Sequence, residues 1–584
     1  MRSKTRGWSR SLWSLGLAAT AACAGSPGAP SADAAARFPE GWPFPYDARP
    51  AVGRRAMVST TDSLATEAGL EILRAGGNGV DAAVAVQFAL AVVHPQAGNL
   101  GGGGFLLLRL ADGTKAALDF RERAPGKASP TMYLDAEGRV TRASWTGHLA
   151  AGVPGSVAGM AEAHRRFGSL PWKTLLEPAV RYARDGIRVR RELHQSLAAA
   201  RERLARYPQT AAVFLPGGEA PPVGSLFRQP DLARTLGTLA EQGAHAFYAG
   251  WIADSLAAEM QRGGGLIDRR DLADYRAVWR DPITIRYRDR QIFSMPPPSS
   301  GGIALAEILN IVGGFQLNPD EWHSAAAIHL MVEAMRRAYA DRNYWLGDPD
   351  YVQIPVRRLL SAAHADSLRA SIDPGRASAS ERFNLVPVES RETTHFSVVD
   401  EAGAAVAVTT TLNGSFGAAV VVRGAGFLLN NEMDDFAAKP GVPNAYGLVQ
   451  GEANAIAPGK RMLSSMAPTV VIGPDGRTEL VTGTPGGATI ITTVFQILTD
   501  RIDYGLPVQA SVNAPRFHHQ NLPDRILYER GGLPADVVAA LRARGHRVEE
   551  RKEFSGDVQS IYLAPDGTLY GAADPRRGGR AAGY

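Results

Sequence analysis

Residues 391–412 read RETTHFSVVDEAGAAVAVTTTL. Two runs rich in β-branched residues flank a short polar turn, and threonines gather at the outer end of each run. Glu401, Ala402 and Gly403 make a three-residue loop, whose last position favours a left-handed glycine. That loop pairs Asp400 with Ala404. Counting outward sets Val398 against Val406 and Thr393 against Thr411. The register therefore brings two threonine hydroxyls face to face at the open end of a β-hairpin. Threonine is also an ordinary strand former, so the pairing alone establishes no chemistry. A threonine hydroxyl becomes a useful nucleophile when a base takes its proton. An N-terminal threonine carries its own base, an α-amino group with a reference pKa of about 8. For Thr393 to be N-terminal, the bond after Glu392 must break. The polar, aperiodic stretch 372–391 reads as an exposed segment in which such a break is feasible.

The rest of the chain can build a large body around this hairpin. It has 584 residues, 45% of them hydrophobic and 21% charged, which fits a globular protein and not a disordered one. No apolar run is long enough for a mature membrane span. The start reads as an export signal: Arg2, Lys4, Arg6 and Arg10 precede the apolar SLWSLGLAATAACA. The net charge of +5 falls to about +2 once residues 1–36 are removed, so the basic balance says little about partners. No Lys/Arg stripe interleaved with aromatics is present, and nucleic acid is not an expected partner. The single cysteine, Cys23, lies inside the signal, so the mature chain has no disulfide framework. TAAC resembles a lipobox that would attach lipid to Cys23. Ordinary signal cleavage at ACA or in ADAAA is the alternative, and both stand.

Hydrophobic periodicity predicts a mixed α and β chain. SLATEAGLEILRAGG and VDAAVAVQFALAVV have helical spacing, and HPQAGNLGGGGFLLLRL is a glycine-rich turn into a strand, with AALDFRERAP as a second strand. Residues 155–275 read as mainly helical. ITIRYRDRQIFSM reads as paired strands, and AAAIHLMVEAMRRAYADRNYWL as a long helix. After residue 393 come the strands THFSVVD, AVAVTTTL, PTVVIG and TELVTG, with ATIITTVFQILTDRI and ADVVAALRARG as helices. Two strand layers with helices outside satisfy this order.

The motifs then carry a resemblance. TTHFSVVD with TLNGSFG resembles the processing site and core of the gamma-glutamyltranspeptidases (glutathione hydrolases). GGNGVDAAVA, HPQAGNLGGGGF, LDFRERAP, GVPGSVAG, PPPSSGG, AYADRNYWLGDP, NNEMDDF, KRMLSSMAPT and TGTPGGATIITT follow in the family's order, from about residue 45 to near the end. The resemblance implies an α+β N-terminal-nucleophile hydrolase fold, an αββα sandwich. It also implies a precursor that cuts itself between Glu392 and Thr393, giving a large subunit, 37–392, and a small subunit, 393–584, that stay together as a heterodimer.

By the same resemblance, Thr393 is both the processing and the catalytic nucleophile, and Thr411 is its supporting hydroxyl. Arg121 is implied as the ligand of the substrate α-carboxylate, a task that suits the guanidinium fork. Ser464 and Ser465 are implied as further donors to that carboxylate. Asp435 and Glu432 would hold the α-ammonium, and Asn413 would touch the same head group. Gly486 and Gly487 resemble an oxyanion-hole pair, and a glycine turn at a helix start does present free N–H groups. Residues 437–454, AAKPGVPNAYGLVQGEAN, match a lid over the pocket, closed by Tyr446. Relatives specialised for glutaryl-cephalosporins often lack that lid, so its presence favours small gamma-glutamyl donors. The implied substrates are glutathione and related gamma-glutamyl compounds, with water, amino acids or dipeptides as acceptors and no cofactor. A glutaryl-type cephalosporin acylase on the same fold, or a processed binding protein without activity, are the alternatives.

Other motifs do not support other chemistry. LGGGG, 100–104, follows a helix where a P-loop would precede one. No HExxH or cysteine cluster points to a metal. Pro154 replaces the first glycine of a serine elbow around Ser156. His518 and His519 read as structural.

Overall fold

A computed structural model describes residues 38–380, 393–444 and 447–584. The export signal, Cys23, Glu392 and Tyr446 lie outside the described residues.

The hairpin pairs as counted. Thr394 faces Thr410, Val398 faces Val406, and Val399 faces Ala405. Asp400 N donates to Ala404 O at 3.1 Å, and Gly403 takes the left-handed φ of +83° that the loop requires. Asp400 fixes the turn from both sides. Its Oδ1 accepts from Ala402 and Ala404 N, and its Oδ2 accepts from Gly79 N at the start of the helix Gly79–Val93.

The hairpin is the centre of a seven-stranded antiparallel sheet. Its order is Arg580–Gly583, Met57–Thr60, Thr394–Val399, Ala405–Thr411, Gly103–Arg109, Lys115–Asp119 and Val278–Arg280. A second sheet of seven runs Ala51–Gly53, Leu569–Ala573, Gln559–Leu563, Thr478–Thr482, Thr469–Ile472, Arg290–Ser294 and Ile283–Tyr287. The central strands of the first sheet, Thr394–Val399, Ala405–Thr411 and Gly103–Arg109, are buried on both faces almost throughout. Leu106, Leu108, Val406 and Val408 point to one hydrophobic core, and Phe105, Leu107, Ala405 and Ala407 to another. Helices Ser63–Arg74, Gly79–Val93 and Trp172–Asp185 share the first core; Gly301–Val312, Ala325–Trp345 and Thr489–Ile502 share the second. This is the αββα sandwich that the resemblance implied.

Both sheets combine strands from before and after residue 393. Thr394–Val399 lies against Met57–Thr60, and Ala405–Thr411 against Gly103–Arg109. A cut at residue 393 would leave every one of these ladders intact.

The described part of the stretch 372–391, residues 372–380, is mostly exposed, but it is tied down at points. Residues 373–376 are exposed, but Ser380 is buried and its N donates to Asp524 Oδ2 at 2.8 Å. Ser378 N donates to Glu333 Oε1 at 3.1 Å. The chain there is held by charged groups of a distant helix and loop, which local polarity does not reveal.

Candidate active site

Thr393 lies at the entry to its strand and Thr411 at the exit of the partner strand, with 3.3 Å between their hydroxyl oxygens. Both are buried. Asn413 N donates to Thr411 Oγ1 at 2.8 Å, which fixes the Thr411 hydroxyl against the strand end. Asn413 reaches that position with a left-handed φ of +72°, and its Nδ2 donates to Asn431 O at 2.9 Å. Among the described residues, no imidazole is shown hydrogen-bonded to this pair. His395, next but one in the chain, is bonded to Thr409 and Ser397, and burial pushes it down to about 3.

The threonines face a small cavity whose walls include Arg121, Arg342, Asn413, Glu432, Asp435, Ser464, Ser465 and Gly487. The room for the centre of a water-sized sphere is about 20 Å³. Small-molecule pockets run to roughly 300–1,000 Å³, so this cavity is small beside them. Asn444, Leu448 and Gln450, from the predicted lid, form one wall. The lid's stem is tied to the site, because Gln450 Nε2 and Asn454 Nδ2 both donate to Asp435 O.

Arg121 follows directly on a core strand, two residues past Asp119, and its side chain is 0% exposed. Its guanidinium donates to Glu432 and to Asp435, with Glu122 at 3.8 Å. The residues implied as carboxylate ligand and ammonium ligand are thus paired with each other. Each is preorganised by the charge that a zwitterionic head group would replace. Burial pushes Glu122 up to about 7 and Glu432 well above the usual carboxylate range, with Arg121 opposing both. Burial thus opposes full ionisation of the three acids around Arg121. Asp435 is the most open of the acids, at 14% side-chain exposure.

Ser464 and Ser465 are set as donors. Met466 N donates to Ser464 Oγ at 3.1 Å, and Arg342 Nη2 donates to Ser465 Oγ at 3.1 Å. Arginine has no acceptor, so each serine oxygen accepts here and its own proton can turn toward the cavity. Arg342 went unrecognised in the sequence, although AYADRNYWLGDP contains it. It lies inside the helix Ala325–Trp345, 1% exposed, and it has no carboxylate within 4 Å among the described residues. Ser300 Oγ and Asn343 Oδ1 hold its other nitrogens, and burial pushes it down to about 10. Arg342 feels the charge of Asp435 across the cavity and stands beside the Ser465 hydroxyl.

Gly486 and Gly487 precede the 14-residue helix Thr489–Ile502 and both have positive φ, +136° and +55°. Thr489 N and Ile490 N bond back to the two glycine carbonyls, at 3.0 and 3.2 Å. A Cβ at Gly486 would lie 2.5 Å from Thr489 Oγ1, so the turn admits no side chain there. Only Gly487 of the two lines the cavity.

This constellation of a threonine pair, a buried arginine–acid cluster and a glycine turn has counterparts. A family model described as gamma-glutamyltranspeptidase matches residues 65–584. The chain belongs to the gamma-glutamyltranspeptidase family. The glutathione hydrolase proenzyme of Escherichia coli (strain K12) is 50% identical over 532 residues, covering 90% of this chain and 91% of its own. That of Pseudomonas aeruginosa is 46% identical over 545 residues, covering 90% and 94%. Among solved structures, a cephalosporin acylase from Bacillus halodurans superposes with a TM-score of 0.84 at 30% identity, covering 94% of this chain and 99% of its own. The Helicobacter pylori gamma-glutamyltranspeptidase gives a TM-score of 0.54 at 43% identity, over 54% of this chain and 91% of that one. The lower score reflects that partial coverage. As in other gamma-glutamyltranspeptidases, the fold is that of the N-terminal-nucleophile hydrolases.

Proposed function

We propose that the chain is a precursor that cuts itself after Glu392 and then acts as a gamma-glutamyl hydrolase and transferase on glutathione and related gamma-glutamyl amides. The observation that carries this reading is the Thr393–Thr411 hydroxyl pair, 3.3 Å apart, opening on a cavity lined by both charges that an amino-acid head group needs. The relatives named glutathione hydrolase proenzyme support both the precursor and the substrate class.

In the cut protein the Thr393 α-amino group takes the proton from Thr393 Oγ1, which attacks the gamma-amide carbon. The Gly486–Gly487 turn supplies backbone N–H groups for the oxyanion. Removing one such donor costs on the order of 2.7–4 kcal/mol of barrier. The leaving amine departs, which for glutathione is Cys-Gly. A gamma-glutamyl ester on Thr393 remains, and water releases glutamate or an amino acid or dipeptide takes up the acyl group. Arg121 and the serines hold the α-carboxylate, Asp435 and Glu432 hold the α-ammonium, and Asn413 borders the same group. Turnover of a chromogenic gamma-glutamyl anilide, with and without glycylglycine, tests the proposal. Release of the anilide by the cut protein is expected, and no release at any donor concentration would reject it.

Thr411 acts through Thr393. Thr411→Val removes the hydroxyl and keeps the shape of the strand. We expect kcat to fall about tenfold, the worth of one hydrogen bond made in the reacting state, with KM little changed. A fully cut variant with wild-type kcat would remove Thr411 from the mechanism.

A further inference from the structure

Away from the threonine pair, three side chains converge between helices of the second layer. Glu307 lies midway along the helix Gly301–Val312, Asp341 near the end of Ala325–Trp345, and His364 in the helix Ala362–Ala370. One ligand atom from each lies within 4.8 Å of the other two. His364 Nε2 is 2.7 Å from Asp341 Oδ2 and 3.9 Å from Glu307 Oε1. Glu307 is the unusual member. Its side chain is 1% exposed, and neither of its carboxylate oxygens has a hydrogen-bond partner. A buried carboxylate without partners is costly, and two unmet acceptors beside an imidazole and a second carboxylate call for a positive centre.

We propose that Glu307, Asp341 and His364 form a structural site for a divalent transition-metal ion of the Zn2+ class, separate from the hydrolytic site. One imidazole nitrogen and two carboxylates are a donor set that this ion accepts, and three protein ligands leave a fourth position for water. With metal–ligand bonds of about 2.0–2.2 Å, tetrahedral ligand atoms stand about 3.4 Å apart. The His364–Asp341 pair, at 2.7 Å, would open by about 0.7 Å and the other pairs would close by no more than about 1.4 Å, within reach of side-chain rotation. His364 and Asp341 are 17% and 19% exposed and give the ion a way in. Burial and the nearby Asp341 push the Glu307 carboxyl well above its usual range, with Arg358 acting the other way. A bound cation would reverse that penalty and hold Glu307 ionised.

A second cluster, His329, Glu333 and His546, has similar spacing but different chemistry. His329 bonds His546 at 2.7 Å and Asp373 O at 2.8 Å, and Glu333 is ion-paired with Arg336 and Arg337. Its ligand atoms are already satisfied, and two guanidinium groups would repel a cation.

Metal at the first cluster would tie the helix Ala362–Ala370 to the core helix Gly301–Val312. Ala362–Ala370 is the last helix before the proposed cut among the described residues, so the ion would anchor the described end of the large subunit. The test uses tag-free full-length protein, stripped with a chelator, dialysed and then given Zn2+ alone. Elemental analysis should find close to one zinc per chain, and calorimetry should show Tm rising by at least about 2 °C. His364→Ala and Asp341→Asn change partly exposed groups, and circular dichroism should confirm their folding. In both, zinc content should fall at least tenfold and Tm should no longer respond; Glu307→Gln should behave alike. Zinc retained equally by folded His364→Ala would overturn the site. So would a wild type that takes up none.

Discussion

Thr393→Ala is expected to give one uncut chain on a denaturing gel and no measurable turnover of a gamma-glutamyl anilide. The substitution removes the hydroxyl that opens the bond after Glu392 and the one that later carries the acyl group. Loss of a catalytic nucleophile costs on the order of 10⁶ in kcat in a well-studied serine protease, and loss of processing compounds it here. The fold should survive. Thr393 stands at the strand entry, and the ladder it leads into is made by Thr394–Val399. Thr393→Ser supplies the control: it restores a hydroxyl at the same atom and should be cut and active, though slower. The wild type should run as two chains that co-purify, because strands from both sides of residue 393 are hydrogen-bonded to each other in the sheets. An uncut, active wild-type chain, or a Thr393→Ala protein that still cuts itself, would contradict the assignment.

The hairpin could be read in advance because its register is over-determined. The Gly403 loop sets one end, and apolar pairs buried on both faces forbid a one-residue slip, which would move each core side chain to the other sheet face. Strands and long helices followed from periodicity for the same reason. The site was legible only as far as its motifs, since its geometry is made by residues far apart in the chain. Arg342 shows the limit. Within its helix it looks like a surface arginine, and its burial is decided by Ser300 and Ser465, 42 and 123 residues away. Glu122 follows Arg121 in RERAP and reads as the solvated half of a charge pair, yet its side chain is 0% exposed. The pairing of Arg121 with Glu432 and Asp435 spans more than 300 positions, which no local pattern encodes.

That pairing decides how donor specificity should respond to mutation. A gamma-glutamyl donor carries an α-carboxylate and an α-ammonium, whereas a glutaryl group lacks the ammonium. Arg121 serves either acid and cannot discriminate. Asp435 can, because it is the acid most open to the cavity. On the proposed assignment, a bound donor's carboxylate would take over the Arg121 and serine donors, and its ammonium would take the place of Arg121 at Asp435. A glutaryl group would supply the first partner and leave Asp435 and Glu432 without the second, in a buried site where an unmatched charge is costly. Asp435→Asn removes one charge-assisted hydrogen bond to the ammonium, worth roughly 1.5–3 kcal/mol. We therefore expect kcat/KM for glutathione and gamma-glutamyl anilides to drop by about one to two orders of magnitude. Arg121 should stay folded in place, since Glu432 bonds it and Glu122 lies 3.8 Å away. The penalty should shrink or vanish for a glutaryl anilide, which has no ammonium to lose. A uniform loss on both donors would mean that Asp435 supports Arg121 and does not read the ammonium. Wild-type turnover of the glutaryl anilide equal to or above that of the gamma-glutamyl one would falsify the glutamyl assignment and favour the acylase reading that the Bacillus halodurans structure represents.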